Sequence, residues 1–329
     1  MRQAHTLPSD DVQQRAPSIT VGLSRAGVSR SRKALSVVVD GTTRVLPASI
    51  DCFADLAGAQ KGVHMSRFEE IVNEAIEAAA QTAAPVDVIA QTIAEKIVVA
   101  QSAHRGEVRI TAEHHVTRRT PVTDLPSHEV YEVHGIAAAS AHASRRIIGA
   151  SAQGMNACPC AQELIQAQAA ETLSEEGYGA DDVSRIVDVV PIATHNQRAR
   201  GSLLVGTQDD IAVDPETLIS IIEDGMSSEI YELMKRPDEQ WVVAKAHRRP
   251  RFVEDSVREM LRGVVEQLPG LADTAFISAH QLNFETIHAH DVEALREGLL
   301  GPVRAEMTGG EPPTEPGPTQ SDWLAAAAE

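Results

Sequence analysis

The sequence predicts an α+β protein in which helix pairs cover one face of antiparallel sheet, with that order of elements running through the chain twice. Three observations predict it. Apolar and polar residues alternate over 18–31 and 33–56 around an Asp40-Gly41 step, which is hairpin chemistry. Apolar residues then recur at three- and four-residue spacing over 66–81 and 84–103, the mark of two amphipathic helices. Alternation returns over 106–120 and 128–147, and the second half repeats strand, two helices and strand over 188–206, 214–235, 251–268 and 274–290. No internal sequence repeat accompanies this order, so the duplication is an expectation about structure.

The elements place their own boundaries. In "KGVHMSRFEE", Ser66 is expected to cap the first helix, and Glu69 three residues later completes a capping box. Residues 1–17 are polar and aperiodic, and 306–329 are rich in Pro, Gly and Glu, so both ends are expected to be disordered. Between them the reading gives a first unit over 18–150 and a second over 151–305, the latter carrying the chemistry. At the far end, Trp323 and the alanines after it suggest at most a weak helix.

Composition excludes several classes. The chain has 329 residues, 43% of them hydrophobic, which is enough to build a sizeable core. A net charge of −18 leaves no general basic footprint for nucleic acid, so a polyanionic ligand needs a local cluster of positive groups. The three cysteines, Cys52, Cys158 and Cys160, do not form a disulfide framework and point to a reducing compartment. With no membrane-spanning run and no signal-peptide core, the expected location is the cytoplasm.

Four segments hold the candidate chemistry. Cys158 and Cys160 flank Pro159, as buried apolar thiols or as a metal ligand or nucleophile. A structural zinc site is disfavoured, because the pair is Cys-x-Cys and no second pair exists. His195 stands in "ATHNQRARG", a run too polar for ordinary core. In "NFETIHAHD", Glu285 and His288 would face opposite sides of a regular strand, so they can share an ion only if the strand ends, bulges or turns there. The segment 235–251 gathers Lys235, Arg236, His247, Arg248, Arg249 and Arg251 beside Asp238, Glu239, Glu254 and Asp255. Its carboxylates either neutralise those cations or recognise paired N–H groups of a purine edge.

Taken in order, "GVHMSRFEE", "CPCAQE", "THNQR", "KRPDE", "FVEDSVR" and "NFETIHAHD" resemble the signature segments of the type IB GTP cyclohydrolases, over roughly residues 20 to 300. The resemblance implies the tunnelling fold, with two units per chain and a homotetramer. It implies a metal set of Cys158, His195, Glu285 and His288, holding zinc, manganese or iron(II). Glu254 is implied as the anchor of the guanine N1–H and 2-amino group, with Glu239 near the metal. His64, Ser66 and Arg67 are implied at the substrate pocket, where the helix start suits phosphate. Arg198, Lys235, Arg236 and Arg249 are the further triphosphate candidates, and His195 or His64 the acid and base.

The activity implied is hydrolysis of GTP at C8, releasing formate and forming 7,8-dihydroneopterin triphosphate. One departure bears on the product. The long acidic stretch 161–194, with Gln162 and Glu163 after the cysteines, resembles the archaeal branch, which makes a cyclic phosphate of dihydroneopterin. A purine- or pterin-binding homologue without catalysis is the alternative from another class. The presence of all four expected ligands counts against it.

Overall fold

The computed structural model describes residues 12–39, 41–82, 84–208, 211–311, 314 and 316–327. Its chain folds into two compact units that interleave in sequence. Unit 1 comprises 1–112, 134–147 and 321–329, and unit 2 comprises 113–133 and 148–320. Strands β3 (Gly106–Arg119), β4 (Pro126–Ala139) and β5 (Ser144–Ala157) each give one end to each unit, where the sequence reading drew a single boundary at 150/151.

In unit 1, strands β1 (Leu23–Val39) and β2 (Thr42–Leu56) form the long antiparallel hairpin that the alternation predicts. Strand β2 then pairs with the first half of β3, from Ala54 opposite Gly106 to Ala48 opposite Ala112. Helices α1 (Met65–Thr82) and α2 (Val86–Gln101) bury the stripes read from the sequence, Phe68, Ile71, Val72 and Ala75 on one and Ile89, Ile93 and Ile97 on the other. With Leu35, Ile50 and Ile110 these make the core, each large side chain contributing roughly 1.5–3 kcal/mol. Gly135 lets the start of α2 approach, since a Cβ there would stand 2.4 Å from the carbonyl oxygen of Val86.

Unit 1 is completed by a segment expected to be disordered. Helix α9 (Gln320–Ala325) buries Trp323 and Leu324, and the Arg145 guanidinium lies 4.9 Å from the centre of the Trp323 ring while donating to its carbonyl at 3.0 Å. One large aromatic supplies the burial that the surrounding Pro and Gly residues cannot. The 3-10 turn Val12–Gln14 likewise falls within the expected N-terminal arm, while residues 1–11 of that arm lie outside the described residues.

Unit 2 orders its strands β5-β6-β8-β9, where β6 is Asn196–Thr207, β8 Phe276–Asn283 and β9 Val292–Leu299; the short β7 (Ser228–Glu229) pairs with β5. Helices α5 (Pro215–Gly225) and α7 (Val253–Gln267) form its helix pair, burying Leu218, Ile219 and Ile222 against Met260 and Val264. Asp214 caps α5 by accepting from Glu216 N at 3.2 Å, with Pro215 at the first helical position. Antiparallel sheet with helices, an α+β architecture in two rounds, is thus what the chain forms.

Several local expectations give way here. The stretch 188–206 is strand only from Asn196, because the acidic stretch before it folds as helices α3 (Pro159–Glu175) and α4 (Ala180–Val189). Residues 230–235 are not helical, since α5 ends at Gly225 and Ser228 and Glu229 pair with Met155 and Gly154. The basic run is a helix, α6 (Arg236–Arg248), and one more short helix, α8 (Leu300–Met307), follows β9. Among the described residues no helix is long and apolar enough to cross a membrane.

Candidate active site

Cys158 closes β5 and opens α3. Its extended backbone (φ −78°, ψ 118°) makes it the N-cap, Pro159 takes the first helical position, and its sulfur accepts from Ala161 N at 3.5 Å. A side chain at this position meets first-turn N–H groups that have no helical carbonyl partner. The contrast is Cys52, whose thiol burial pushes up to about 12, with Glu69 and Asp51 adding to the effect; it packs as an apolar group. All three cysteines are free thiols, Cys160 being exposed.

Main-chain bonds lace the Cys158 segment to His195. Cys158 N donates to the His195 carbonyl at 3.1 Å, and Thr194 Oγ1 donates to the Cys158 carbonyl at 3.0 Å. The buried Gln162 side chain donates to the carbonyls of Ile192 and His247, each at 2.7 Å. His247 in turn faces the carbonyls of Val243 and Thr194 with its two ring nitrogens, at 2.8 and 3.3 Å. The start of α3, the end of α6 and the approach to β6 are therefore joined by hydrogen bonds.

His195 meets Glu285 through Gln197. Strand β8 ends at Asn283, and the chain turns so that Phe284 N donates to the Arg198 carbonyl at 3.0 Å and Glu285 N to Asp291 Oδ1 at 3.2 Å. That strand end is what a shared ion requires of Glu285. Gln197 Nε2 donates to Glu285 Oε1 at 3.1 Å, Gln197 Oε1 lies 3.2 Å from His195 Nδ1, and His195 Nδ1 lies 3.8 Å from Glu285 Oε2. The Glu285 side chain is 6% exposed, yet its Oε2 has no hydrogen-bond partner. A bare carboxylate oxygen in such a place is costly unless a cation completes it.

Behind these groups lies a buried polar floor. Asn156 donates to Ser256 Oγ and Asn283 Oδ1, both at 3.0 Å, and accepts from Ser227 N at 2.9 Å. It ties the ends of β5 and β8 to the first turn of α7.

Other expected residues are dispersed. His288 is exposed in the loop after Glu285, its ring stacked on that of His290 with centroids 5.1 Å apart. Among the described residues no group of three or more His, Cys, Asp or Glu side chains is gathered as a metal site, so the expected set of Cys158, His195, Glu285 and His288 is only partly assembled. Lys235, Arg236 and Glu239 are exposed at the start of α6, which Asp238 anchors by accepting from Lys235 N, Val122 N, Thr123 N and Thr123 Oγ1. Burial alone would raise the Asp238 pKa, but these donors hold it well below the usual carboxylate range. Arg249 is used structurally, donating with Arg251 to the Asp224 carbonyl at the end of α5.

Two concavities adjoin the expected substrate residues. Glu254 lines a groove of about 470 Å³ together with apolar Val257, Leu261, Leu295, Val303 and Met307 and charged Arg258, Arg296 and Glu306. Arg198 lines a cavity of about 390 Å³ with Arg200, Tyr131, Tyr231, Glu132 and Glu223. There burial pushes the Glu223 carboxyl up to about 7, against a hydrogen bond from Tyr131 Oη at 2.6 Å that works the other way. Nothing in the motifs pointed to Glu223, and Gln197 stood in one of them without an assigned role. The polar character of "HNQR" was the one available signal for the latter.

His64, Ser66 and Arg67 belong to unit 1. Gln101 clamps the His64 backbone, accepting from its N and donating to its O at 3.0 Å each. The helix accordingly begins at Met65, which puts Ser66 inside the first turn rather than at the cap, and Glu69 pairs with Lys33 at 2.7 Å instead of closing a capping box. Arg67 donates to the Ala100 carbonyl at 2.9 Å, at the C-terminal end of α2.

Comparison with known proteins adds a family. The family model described as Type I GTP cyclohydrolase folE2 matches residues 10–294. GTP cyclohydrolase MptA of Methanosarcina barkeri is 38% identical over 312 residues, covering 92% of this chain and 98% of its own. The MptA of Methanoculleus marisnigri is 38% identical over 307 residues, covering 91% and 98%. Among solved structures, the uricase of Arthrobacter globiformis aligns with a TM-score of 0.48 at 8% identity, over 85% of this chain and 95% of that one.

Proposed function

Because this chain belongs to the folE2 family of type I GTP cyclohydrolases, and so to a family of enzymes, we propose that it hydrolyses GTP at C8, releases formate and forms 7,8-dihydroneopterin triphosphate. Type IB, as the six motif segments suggest, is the finer assignment carried by this proposal. One observation carries the site: the buried, unpartnered Glu285 Oε2 beside His195, whose backbone is bonded to Cys158.

The donors fit a divalent ion by their chemistry. Thiolate, imidazole and carboxylate suit zinc, iron(II) or manganese, with Cys158, His195 and Glu285 as ligands and His288 on the adjoining loop as the fourth. When bound, such an ion supplies a water of lowered pKa for attack on C8. The protein's own groups do the rest. The Glu254 carboxylate accepts the guanine N1–H and 2-amino hydrogens at its groove, fixing the purine edge. Arg198, Lys235 and Arg236 neutralise the triphosphate, with Ser66 and Arg67 as further contacts. Glu239 is, on the resemblance, a residue near the metal. His195 or His64 moves protons during ring opening, ribose rearrangement and reclosure.

A second reading concerns the product. The segment between Cys160 and His195, folded as α3 and α4, resembles the archaeal branch of the family and favours dihydroneopterin cyclic phosphate. We further propose a cytoplasmic homotetramer that binds no nucleic acid, supported by the resemblance and by the charge of −18. The test is incubation of purified protein with GTP and zinc, manganese or iron(II) in turn, following formate and the mass of the pterin. Formate with a triphosphate product is expected. A cyclic phosphate would select the second reading, and absence of formate with every metal would defeat both.

A further inference from the structure

We propose that Gln197 is a positioning residue that prepares His195 and Glu285 together for a divalent cation, leaving His195 Nε2 and Glu285 Oε2 bare. This rests on the reading of those two side chains as ligands. The argument begins with which end of the amide faces which partner. An ionised carboxylate only accepts hydrogen bonds, so the amide nitrogen must face Glu285, as it does at 3.1 Å. The amide oxygen then faces His195 Nδ1 at 3.2 Å. That oxygen also only accepts, so the proton of the neutral ring sits on Nδ1 and the lone pair on Nε2.

The same side chain sets the carboxylate. Its donation occupies Oε1, while Oε2 remains buried without a hydrogen-bond partner. Turning the amide over would put oxygen against carboxylate and remove the acceptor from Nδ1, so both contacts stand or fall together. Gln197 is 5% exposed and lies two positions before Ala199, which is paired with Asn283 across β6 and β8, so the sheet holds its backbone. Metal-bound histidines commonly donate their second ring N–H to an oxygen, and loss of such a partner weakens metal binding.

The test uses the metal-free full chain. Zn²⁺ is titrated in competition with a fluorescent chelator, and the His195 tautomer is read by ¹⁵N NMR of histidine-labelled protein, the resonance being assigned by its loss in His195→Ala. Wild type should show the Nδ1–H form. Gln197→Leu should lose that preference and bind Zn²⁺ about 10–100-fold more weakly, with an unchanged melting temperature in chelator. An Nε2–H ring in wild type, or unaltered Zn²⁺ affinity in folded Gln197→Leu, overturns the proposal. If His195→Ala also binds Zn²⁺ normally, the ligand reading itself has failed; if it binds weakly while Gln197→Leu binds normally, only the role of Gln197 has.

Discussion

The two units treat their buried polar groups differently. In unit 1 the clamp at the start of α1 is closed: Gln101 holds both backbone groups of His64, Arg67 holds the Ala100 carbonyl, and Lys33 holds Glu69. Of the described buried side-chain atoms lacking a hydrogen bond, unit 1 has Arg105 Nε, which still faces Glu107 at 2.9 Å. Unit 2 has His114 Nδ1, Gln281 Oε1 and Glu285 Oε2, and it also buries Glu223. Each such group costs about 1–3 kcal/mol when left unmet. Three of these four atoms lie in unit 2, and one of them, Glu285 Oε2, stands where chemistry is proposed, so unit 2 gives up stability at that place.

The sharpest way to break that contrast is at Cys158. Cys158→Ala should abolish formate release while leaving a folded protein with an unchanged melting temperature in chelator; retained activity would remove the thiol from the mechanism. Next in size is Glu223. Its folded pKa is raised to about 7 from 4.5, so the protonated form is the one folding favours. Its contribution is present in full below the unfolded pKa and is lost as pH rises to about 7, by roughly 3 kcal/mol for a shift of this size. Glu223→Gln should therefore flatten the pH dependence of stability between about pH 4.5 and 7 in denaturant melts, and an unaltered slope would refute the account. The smallest effect is expected in unit 1. Arg67→Ala loses one bond at the end of α2 and should cost roughly 0.3–1 kcal/mol. A rise in KM for GTP beyond that loss is the result expected if Arg67 also contacts the triphosphate as proposed, and an unchanged KM would confine it to its bond with the Ala100 carbonyl.

Much of the fold was legible because it is carried by periodicity. The hairpin at Gly41 and helices α1, α2, α5 and α7 bury the residues their spacing predicts. What escaped lacked an apolar stripe. Along α3 only Gln162 is buried, α6 opens on exposed charges, and β9 alternates between exposed and half-buried residues. The site was legible as motifs more than as geometry. The requirement that the strand end before Glu285 came from side-chain alternation and is met at Asn283. The roles of Gln197 and Glu223 were not visible, because an amide or a carboxyl gains its role only from the partners that folding brings to it.

The interleaving of the units orders events in time. Unit 1 begins near the start of the chain but takes its last pieces, 134–147 and the helix bearing Trp323, from the middle and the far end. During synthesis its hairpin and helix pair emerge first, yet Arg145 waits for nearly the whole of unit 2 to be translated before Trp323 reaches it. Unit 1 thus remains unsealed at Trp323 until the residues of unit 2 have been made.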